Sequence, residues 1–175
     1  MSIHILIDGY NLIRQSTELS QLDRQDIQLG RKALIDRLVV YKKLKHHKIT
    51  VVFDGIHAPL FSQNRDQVNG IKIIFSRQGE LADAVIKRMV AREREKALVV
   101  SSDRDIVNFA ESRGAATISS PDFERKATMA VFMDADVFDG TDDENSGWIP
   151  TTKKKGPSRR LGKKARRSRI KIRKL

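Results

Sequence analysis

The sequence contains no cysteine, which excludes disulfide bonds, thiolate chemistry and cysteine-based zinc sites. No apolar run reaches 18 residues, so no segment is expected to cross a membrane. Only 6% of the residues are aromatic, which leaves little material for stacking on nucleic-acid bases. The opening stretch, MSIHILIDGYN, has no basic start and reaches Asp8 too early for a secretory signal. Together these absences predict a cytoplasmic protein with no membrane partner.

The positive charge is concentrated at one end of the chain. The net charge is +12, but residues 151–175 hold 13 Lys and Arg and no acid. The other 150 residues hold 21 basic and 22 acidic residues, so they are almost neutral. The high isoelectric point therefore describes a basic tail and not a basic domain.

Short apolar runs alternate with helical patterns through most of the chain. The sequence predicts strands over residues 3–7, 49–53, 71–75, 97–100 and 116–118, and a loop over 56–69. It predicts helices over about 26–46, after Gly79, over about 105–113 and from Ser120. This alternation predicts a three-layer α/β/α domain around a mainly parallel sheet.

The composition also predicts where this domain ends. We expect the α/β domain over residues 1–138, an acidic linker over 139–150 and a basic, disordered tail over 151–175. The last two segments are too charged and too poor in apolar residues to contribute to a core.

Three predicted strands end in aspartate: Asp8, Asp54 and Asp103. The carboxyl ends of parallel strands share one edge of the sheet, where ligands bind in open α/β folds. Glu80 and Asp83 are spaced to share one face of the following helix, near its N-terminus and the same edge. Adding Asp105, up to six carboxylates are expected to converge there.

Carboxylates that crowd together repel one another unless a positive charge compensates them. Oxygen ligands alone favour Mg²⁺ or Mn²⁺, and the histidines have no spacing that suits zinc. Each acid also has an ordinary explanation: Asp8 and Asp54 as turn residues, Glu80 and Asp83 as helix N-terminal acids, and Asp103 as a helix cap. Only their joint position at one sheet edge favours a metal site that cleaves phosphodiester bonds.

Other acidic or phosphate-binding sites of α/β proteins fit this sequence poorly. An aspartyl phosphatase needs a second Asp two residues after the first, where this chain has Tyr10. The glycine-rich turn of dinucleotide-binding folds is missing after the first strand, and there is no P-loop.

Four motifs resemble those of a known family. They are IDGYNLI at residues 7–13, VVFDG at 51–55, GELADAVI at 79–86 and VVSSDRDI at 99–106. They resemble, in order and spacing, the motifs of the YacP-like branch of NYN domains in the PIN-like nuclease superfamily.

The resemblance implies a PIN-like fold, a divalent metal, endoribonuclease activity on RNA and the ribosome as a partner. It implies that the catalytic acids are Asp8, Asp54, Asp83 and Asp103, and that the metal ligands are Asp8, Asp83, Asp103, Glu80 and Asp105. Asn11 would position a ligand or a carboxylate, and Ser102 would bond a carboxylate or a substrate phosphate.

The basic tail is expected to bind RNA phosphates without regard to sequence. This assigns substrate binding to Lys153, Lys154, Lys155, Arg159, Arg160, Lys163, Lys164, Arg166 and Arg167. Two alternatives to the endoribonuclease remain open: a non-catalytic RNA- or ribosome-binding module, and a toxin-like PIN nuclease that needs an antitoxin, for which no antitoxin-binding feature is visible.

Overall fold

The computed structural model describes residues 3–57, 65–136 and 162–175. Its centre is a six-stranded sheet in the order β3-β4-β2-β1-β5-β6. All neighbouring strands are parallel except the edge strand β3, which runs antiparallel to β4. The strands are β1 (His4–Asp8), β2 (Lys48–Phe53), β3 (Arg65–Val68), β4 (Ile71–Phe75), β5 (Ala97–Val100) and β6 (Ala116–Ile118). The helices are α1 (Gly9–Gln15), α2 (Thr17–Gln25), α3 (Ile27–Lys45), α4 (Ala82–Glu93), α5 (Arg104–Ser112), α6 (Ser120–Asp136) and α7 (Lys163–Arg173).

Helices cover both faces of this sheet and form two apolar cores. Within β1, Ile5 and Ile7 contribute to the core that includes residues of α1, α2, α3 and α6. Leu6 contributes to the second core, with residues of α4 and α5. The side chains of a strand alternate between the faces of its sheet, and all three are fully buried because helices cover both faces. The predicted three-layer α/β/α domain with a mainly parallel sheet is confirmed.

Three helices and one strand were absent from the sequence-based prediction: α1, α2, α7 and β3. Helices α1 and α2 fill the stretch between β1 and α3, and they share Ser16, which ends α1 and caps α2 by accepting a hydrogen bond from Leu19 N–H at 3.3 Å. Such short helices carry little periodicity and depend on tertiary packing. Strand β3 lies in the predicted loop, and its sequence, RDQV, shows no apolar pattern because β3 is an exposed edge strand.

The predicted disordered tail is wrong for residues 162–175. Lys163–Arg173 form helix α7, and Leu175 behind it is buried in the core on the α3 side of the sheet. The hydroxyl of Tyr41 donates a hydrogen bond to the carbonyl of Leu175 at 3.3 Å, and Ile172 packs against the same core. The composition argument failed because two apolar residues three positions apart suffice to dock one side of an otherwise charged helix.

The predicted acidic linker over 139–150 and the first part of the tail, residues 151–161, lie outside the described residues, so these domain boundaries stay predictions. In the part of the chain that the structure describes, no helix has the length and apolar character needed to span a membrane.

Candidate active site

The sheet topology places three aspartates at one edge. Strand β1 lies between β2 and β5, so Asp8 at its carboxyl end has a neighbouring strand on each side. Asp54 directly follows β2, and Asp103 lies three residues beyond the end of β5. We call Asp8, Asp54, Asp83, Asp103 and Asp105 the acidic edge.

Asp8 is the most deeply placed carboxylate of the acidic edge. It accepts hydrogen bonds from the Asn11 N–H at 3.2 Å and the Ser101 hydroxyl at 3.3 Å. Burial nevertheless raises the pKa of Asp8 from 3.8 to about 6, and the negative charges of Asp83 and Asp103 act in the same direction. The fold therefore brings three of the predicted acids into electrostatic contact, although they come from β1, α4 and the loop after β5.

Asp103 is both a member of this group and a helix cap. Its carboxylate accepts a hydrogen bond from the Asp105 N–H at 2.7 Å, which begins α5. Its own N–H donates to the hydroxyl oxygen of Ser101 at 3.1 Å. Since Ser101 also donates to Asp8, this serine links the ends of β1 and β5 and fixes the spacing of the two aspartates.

A polar network around Asn11 supports the loop that carries Asp103. The side-chain oxygen of Asn11 accepts hydrogen bonds from the Ser102 N–H at 2.9 Å and the Ser120 hydroxyl at 2.7 Å. The Ser102 hydroxyl donates to Gln15 at 2.9 Å and accepts from the Ser120 N–H at 3.2 Å. Asn11 and Ser102 thus bind one another and join α1, the β5–α5 loop and α6.

Lys87 is a residue of the site that the sequence analysis missed. Its ammonium group lies 3.0 Å from the carboxylate of Asp83 and 2.8 Å from that of Asp105. These hydrogen bonds raise the pKa of Lys87 to about 12 and lower the pKa of Asp105. The four-residue spacing between Asp83 and Lys87 on one helix was the available signal. Part of the compensating charge of the acidic edge is therefore supplied by the protein.

Two of the predicted site acids have other partners. Glu80 lies 2.6 Å from the guanidinium of Arg88, whose hydrogen bond lowers the pKa of Glu80. Asp54 accepts a hydrogen bond from the Ile56 N–H at 3.2 Å, and its charge joins burial in raising the pKa of Tyr10. Asp54 lies at the same edge, but the acids whose charges raise the pKa of Asp8 are Asp83 and Asp103.

The two Asp-Gly pairs of the site need glycine for steric reasons. A Cβ atom on Gly55 would stand 1.9 Å from the carbonyl oxygen of Ser76, and one on Gly9 would stand 2.3 Å from the ring of Phe53. The chain can turn out of β1 and β2 at these points only because both residues lack a side chain. The glycines therefore help to position Asp8 and Asp54.

The donor set fits a hard divalent cation in chemistry. Carboxylate oxygens are the ligands that Mg²⁺ and Mn²⁺ prefer, and a bound cation would relieve the charge that burial penalises at Asp8. Within residues 3–57, 65–136 and 162–175, however, no three Asp, Glu or His side chains stand close enough to form a ready-made ligand set.

The structure describes only part of the predicted RNA-binding tail. Arg166 is exposed on α7, and Arg167 lies 2.7 Å from the carboxylate of Glu95. Lys163 and Lys164 belong to the same helix. The remaining tail residues of the prediction lie outside the described ranges, namely Lys153, Lys154, Lys155, Arg159 and Arg160.

Comparisons with known proteins agree with this architecture. A curated relative, the uncharacterized protein YacP of Bacillus subtilis (strain 168), is 27% identical over 85 residues, which are 49% of this chain and 49% of the relative. The match thus spans about half the length of that relative.

The fold is similar to crystal structures of Rae1 (YacP) from Bacillus subtilis. One has a TM-score of 0.66 and 22% identity, covering 79% of this chain and 80% of the other. A mutant of the same protein has a TM-score of 0.62 and 22% identity, covering 75% and 78%. The model of the YacP-like NYN domain family matches residues 5–155. Because this match spans most of the chain, the protein belongs to the YacP-like NYN domain family, a family of PIN-like nucleases.

Proposed function

We propose that this protein is a metal-dependent endoribonuclease that hydrolyses RNA phosphodiester bonds at the acidic edge. The observation that carries the proposal is the position of Asp8 at the acidic edge, a partly buried carboxylate whose pKa is raised to about 6 by burial and by the charges of Asp83 and Asp103. Uncompensated carboxylates of this kind are costly to a fold and cluster at functional sites. Family membership supports the same reading.

In this proposal Asp8, Asp83 and Asp103 would hold Mg²⁺ or Mn²⁺, with Asp54, Glu80 and Asp105 at the periphery. A bound cation would neutralise negative charge near the phosphate and make water a better nucleophile. The chain's own groups would keep the site in shape. Ser101 would hold Asp8 and Asp103 at a fixed spacing through its two hydrogen bonds.

The Asn11 network would hold the loop that carries Asp103. In this network the hydroxyl of Ser102 is hydrogen-bonded to Gln15 and Ser120. Ser102 would therefore contact a substrate phosphate only by giving up one of these two hydrogen bonds. We therefore propose Asn11 as a positioning residue, and Ser102 as a substrate contact that depends on such an exchange. The basic residues of the tail, the ribosome as a partner and the cytoplasm as location belong to the same proposal.

The test is cleavage of an end-labelled RNA with Mg²⁺, with Mn²⁺ and with EDTA. We expect cleavage only with metal. Asp8→Asn and Asp103→Asn should each reduce it at least about 100-fold, because each removes charge from the metal site. Asp36→Asn is the matched control, since Asp36 is an exposed acid on α3 that pairs only with Lys32 among the described residues. Cleavage that survives EDTA or both substitutions would refute the proposal.

A second candidate is a non-catalytic RNA- or ribosome-binding module. It is favoured by Lys87, which already neutralises Asp83 and Asp105, and by the lack of a ready-made ligand set in the described ranges. This candidate predicts RNA binding without cleavage products under all metal conditions, and binding that Asp8→Asn leaves unchanged. A toxin-like nuclease would instead arrest growth on expression, an effect that Asp8→Asn would abolish.

A further inference from the structure

A cleft lined by basic residues runs beside the acidic edge, between strands β3 and β4 and helix α4. It consists of two depressions that share Arg65, Arg77, Glu80 and Arg88 and are therefore continuous. We define the basic cleft by the five cations that line it besides Lys87, which are Arg65, Lys72, Arg77, Arg88 and Arg92. Its cations come from one stretch of the chain, residues 65–92, which holds six Lys and Arg and three Asp and Glu.

Most of these cations have no charged partner. Arg88 forms a salt bridge with Glu80. Arg65, Lys72 and Arg92 form no salt bridge with any residue that the structure describes, and the two arginines are exposed to solvent. Unpaired cations that line one depression make a strongly positive surface, which attracts polyanions.

The basic cleft leads directly to the acidic edge. Asp83 and Lys87 line one of its two depressions, and the charge of Asp83 contributes to the raised pKa of Asp8. Leu81 lies on the cleft wall with 62% of its surface exposed, and it offers an apolar contact beside the cations. A chain of phosphates bound in the cleft would thus arrive at the acids that we propose to cut it.

We propose that the basic cleft binds the phosphate backbone of the RNA substrate and guides it to the acidic edge. The inference rests on the proposed function for the identity of the polyanion. The contacts that we propose are to phosphates, because the cleft offers no surface for base stacking: no exposed aromatic residue is among the described residues that line it. The cleft is distinct from the basic tail, because it lies within the α/β domain.

The test measures affinity for a fluorescein-labelled, unstructured oligoribonucleotide in EDTA, so that its outcome does not depend on cleavage. The cleft variant is Arg65→Gln with Arg92→Gln. The matched control is Arg24→Gln with Lys43→Gln, which removes two exposed cations from α2 and α3 on the other face of the sheet. Both variants keep the tail and lose the same net charge.

We expect the cleft variant to bind about tenfold more weakly at low salt. The slope of log K against log salt should become shallower by about 1.4, since each lost contact to a single strand contributes about 0.7. The control variant should keep nearly the native affinity and nearly the native salt slope. Equal losses in the two variants, or unchanged binding of the cleft variant, would overturn the inference.

Two further outcomes distinguish this inference from the proposed function and from a site for acidic protein segments. If the cleft variant loses affinity as expected but no RNA is cleaved by the native chain with any metal, the proposed function fails and the cleft assignment stands. If a polyglutamate peptide binds the native chain as tightly as RNA at the same salt, with the same loss in the cleft variant, the cleft is a site for acidic protein segments and the RNA assignment is wrong.

Discussion

The acidic edge and the basic cleft lie side by side but are built on opposite principles. The acids come from strand ends, loops and helices far apart in the chain, and hydrogen bonds from Asn11 and Ser101 hold Asp8 in a partly buried position. The cations of the cleft come from one stretch, and Arg65 and Arg92 extend into solvent. The comparison indicates that chemistry needs few groups at fixed positions, whereas phosphate binding needs only a sufficient number of cations.

The largest expected effect separates the two regions by activity. Asp8→Asn should reduce the single-turnover cleavage rate at least about 100-fold at saturating RNA, while its affinity for RNA in EDTA stays within about twofold. The cleft variant should bind RNA more weakly in EDTA. It should still cleave RNA at the single-turnover rate of the native chain once RNA saturates the protein. A cleft variant whose rate stays low at saturating RNA would erase the distinction between the two regions.

The second prediction compares one glycine from each region. Gly55→Ala should lower the free energy of unfolding by about 3 kcal/mol, because the new methyl group would collide with the backbone carbonyl of Ser76. Gly79→Ala in the cleft should cost only about 1 kcal/mol, since Gly79 has a φ of +80° but open space around it. Urea denaturation followed by circular dichroism measures both values. Equal costs would contradict the idea that the acidic edge is the more tightly packed region.

The third prediction concerns the stability that the acidic edge gives up. Because the pKa of Asp8 is about 6 in the folded protein and 3.8 as its ordinary value, ionised Asp8 destabilises the fold above pH about 6. Below pH about 4 the group is protonated in both states and this cost vanishes. Asp8→Asn should therefore raise the free energy of unfolding by about 2 kcal/mol at pH 7.5 in EDTA, and by almost nothing at pH 4.

The effect of Mn²⁺ on the free energy of unfolding tests the same argument about Asp8. Mn²⁺ should stabilise the native chain and leave the Asp8→Asn variant almost unaffected, because the cation binds the ionised carboxylate. A variant that is less stable than the native chain at pH 7.5 would show that the hydrogen bonds to the ionised carboxylate of Asp8 outweigh the cost of burying its charge.

The smallest expected effect lies at the boundary of the two regions. Lys87→Met removes the ammonium group that bridges Asp83 and Asp105, so Mn²⁺ should bind more tightly to the freed carboxylates. Electron paramagnetic resonance of free Mn²⁺ measures this affinity. Lys87→Arg keeps the charge and should bind Mn²⁺ as the native chain does. Weaker Mn²⁺ binding by Lys87→Met would instead indicate that the bridge is needed to hold Asp83 in place.

The sequence predicted the parts of the fold whose patterns are self-contained. The bounds of β4, β5 and β6 agree with the prediction, because buried parallel strands are short apolar runs between clear turn residues. Strand β3 and helices α1, α2 and α7 were not predicted. Each of them depends on a neighbour for its stability: β3 on backbone pairing with β4, and α7 on the burial of Ile172 and Leu175.

The candidate site shows the same division. The positions of Asp8, Asp54 and Asp103 at one sheet edge followed from the parallel strand direction that alternating strands and helices imply. The second role of Asp103 as a cap was also foreseen as an alternative, and the structure shows it. Lys87 was overlooked because the bridge to Asp105 joins α4 to α5 and depends on how the two helices pack.

The sequence by itself determined the α/β class, the residue types of the site and the family motifs, because apolar periodicity and short motifs are local properties of a chain. Only the tertiary structure decided which acids raise the pKa of Asp8, which cations of the basic cleft lack a salt bridge to a described residue, and how residues 162–175 dock on the core. These are properties of pairs of groups distant in sequence, and distance and burial in the folded protein set their energies.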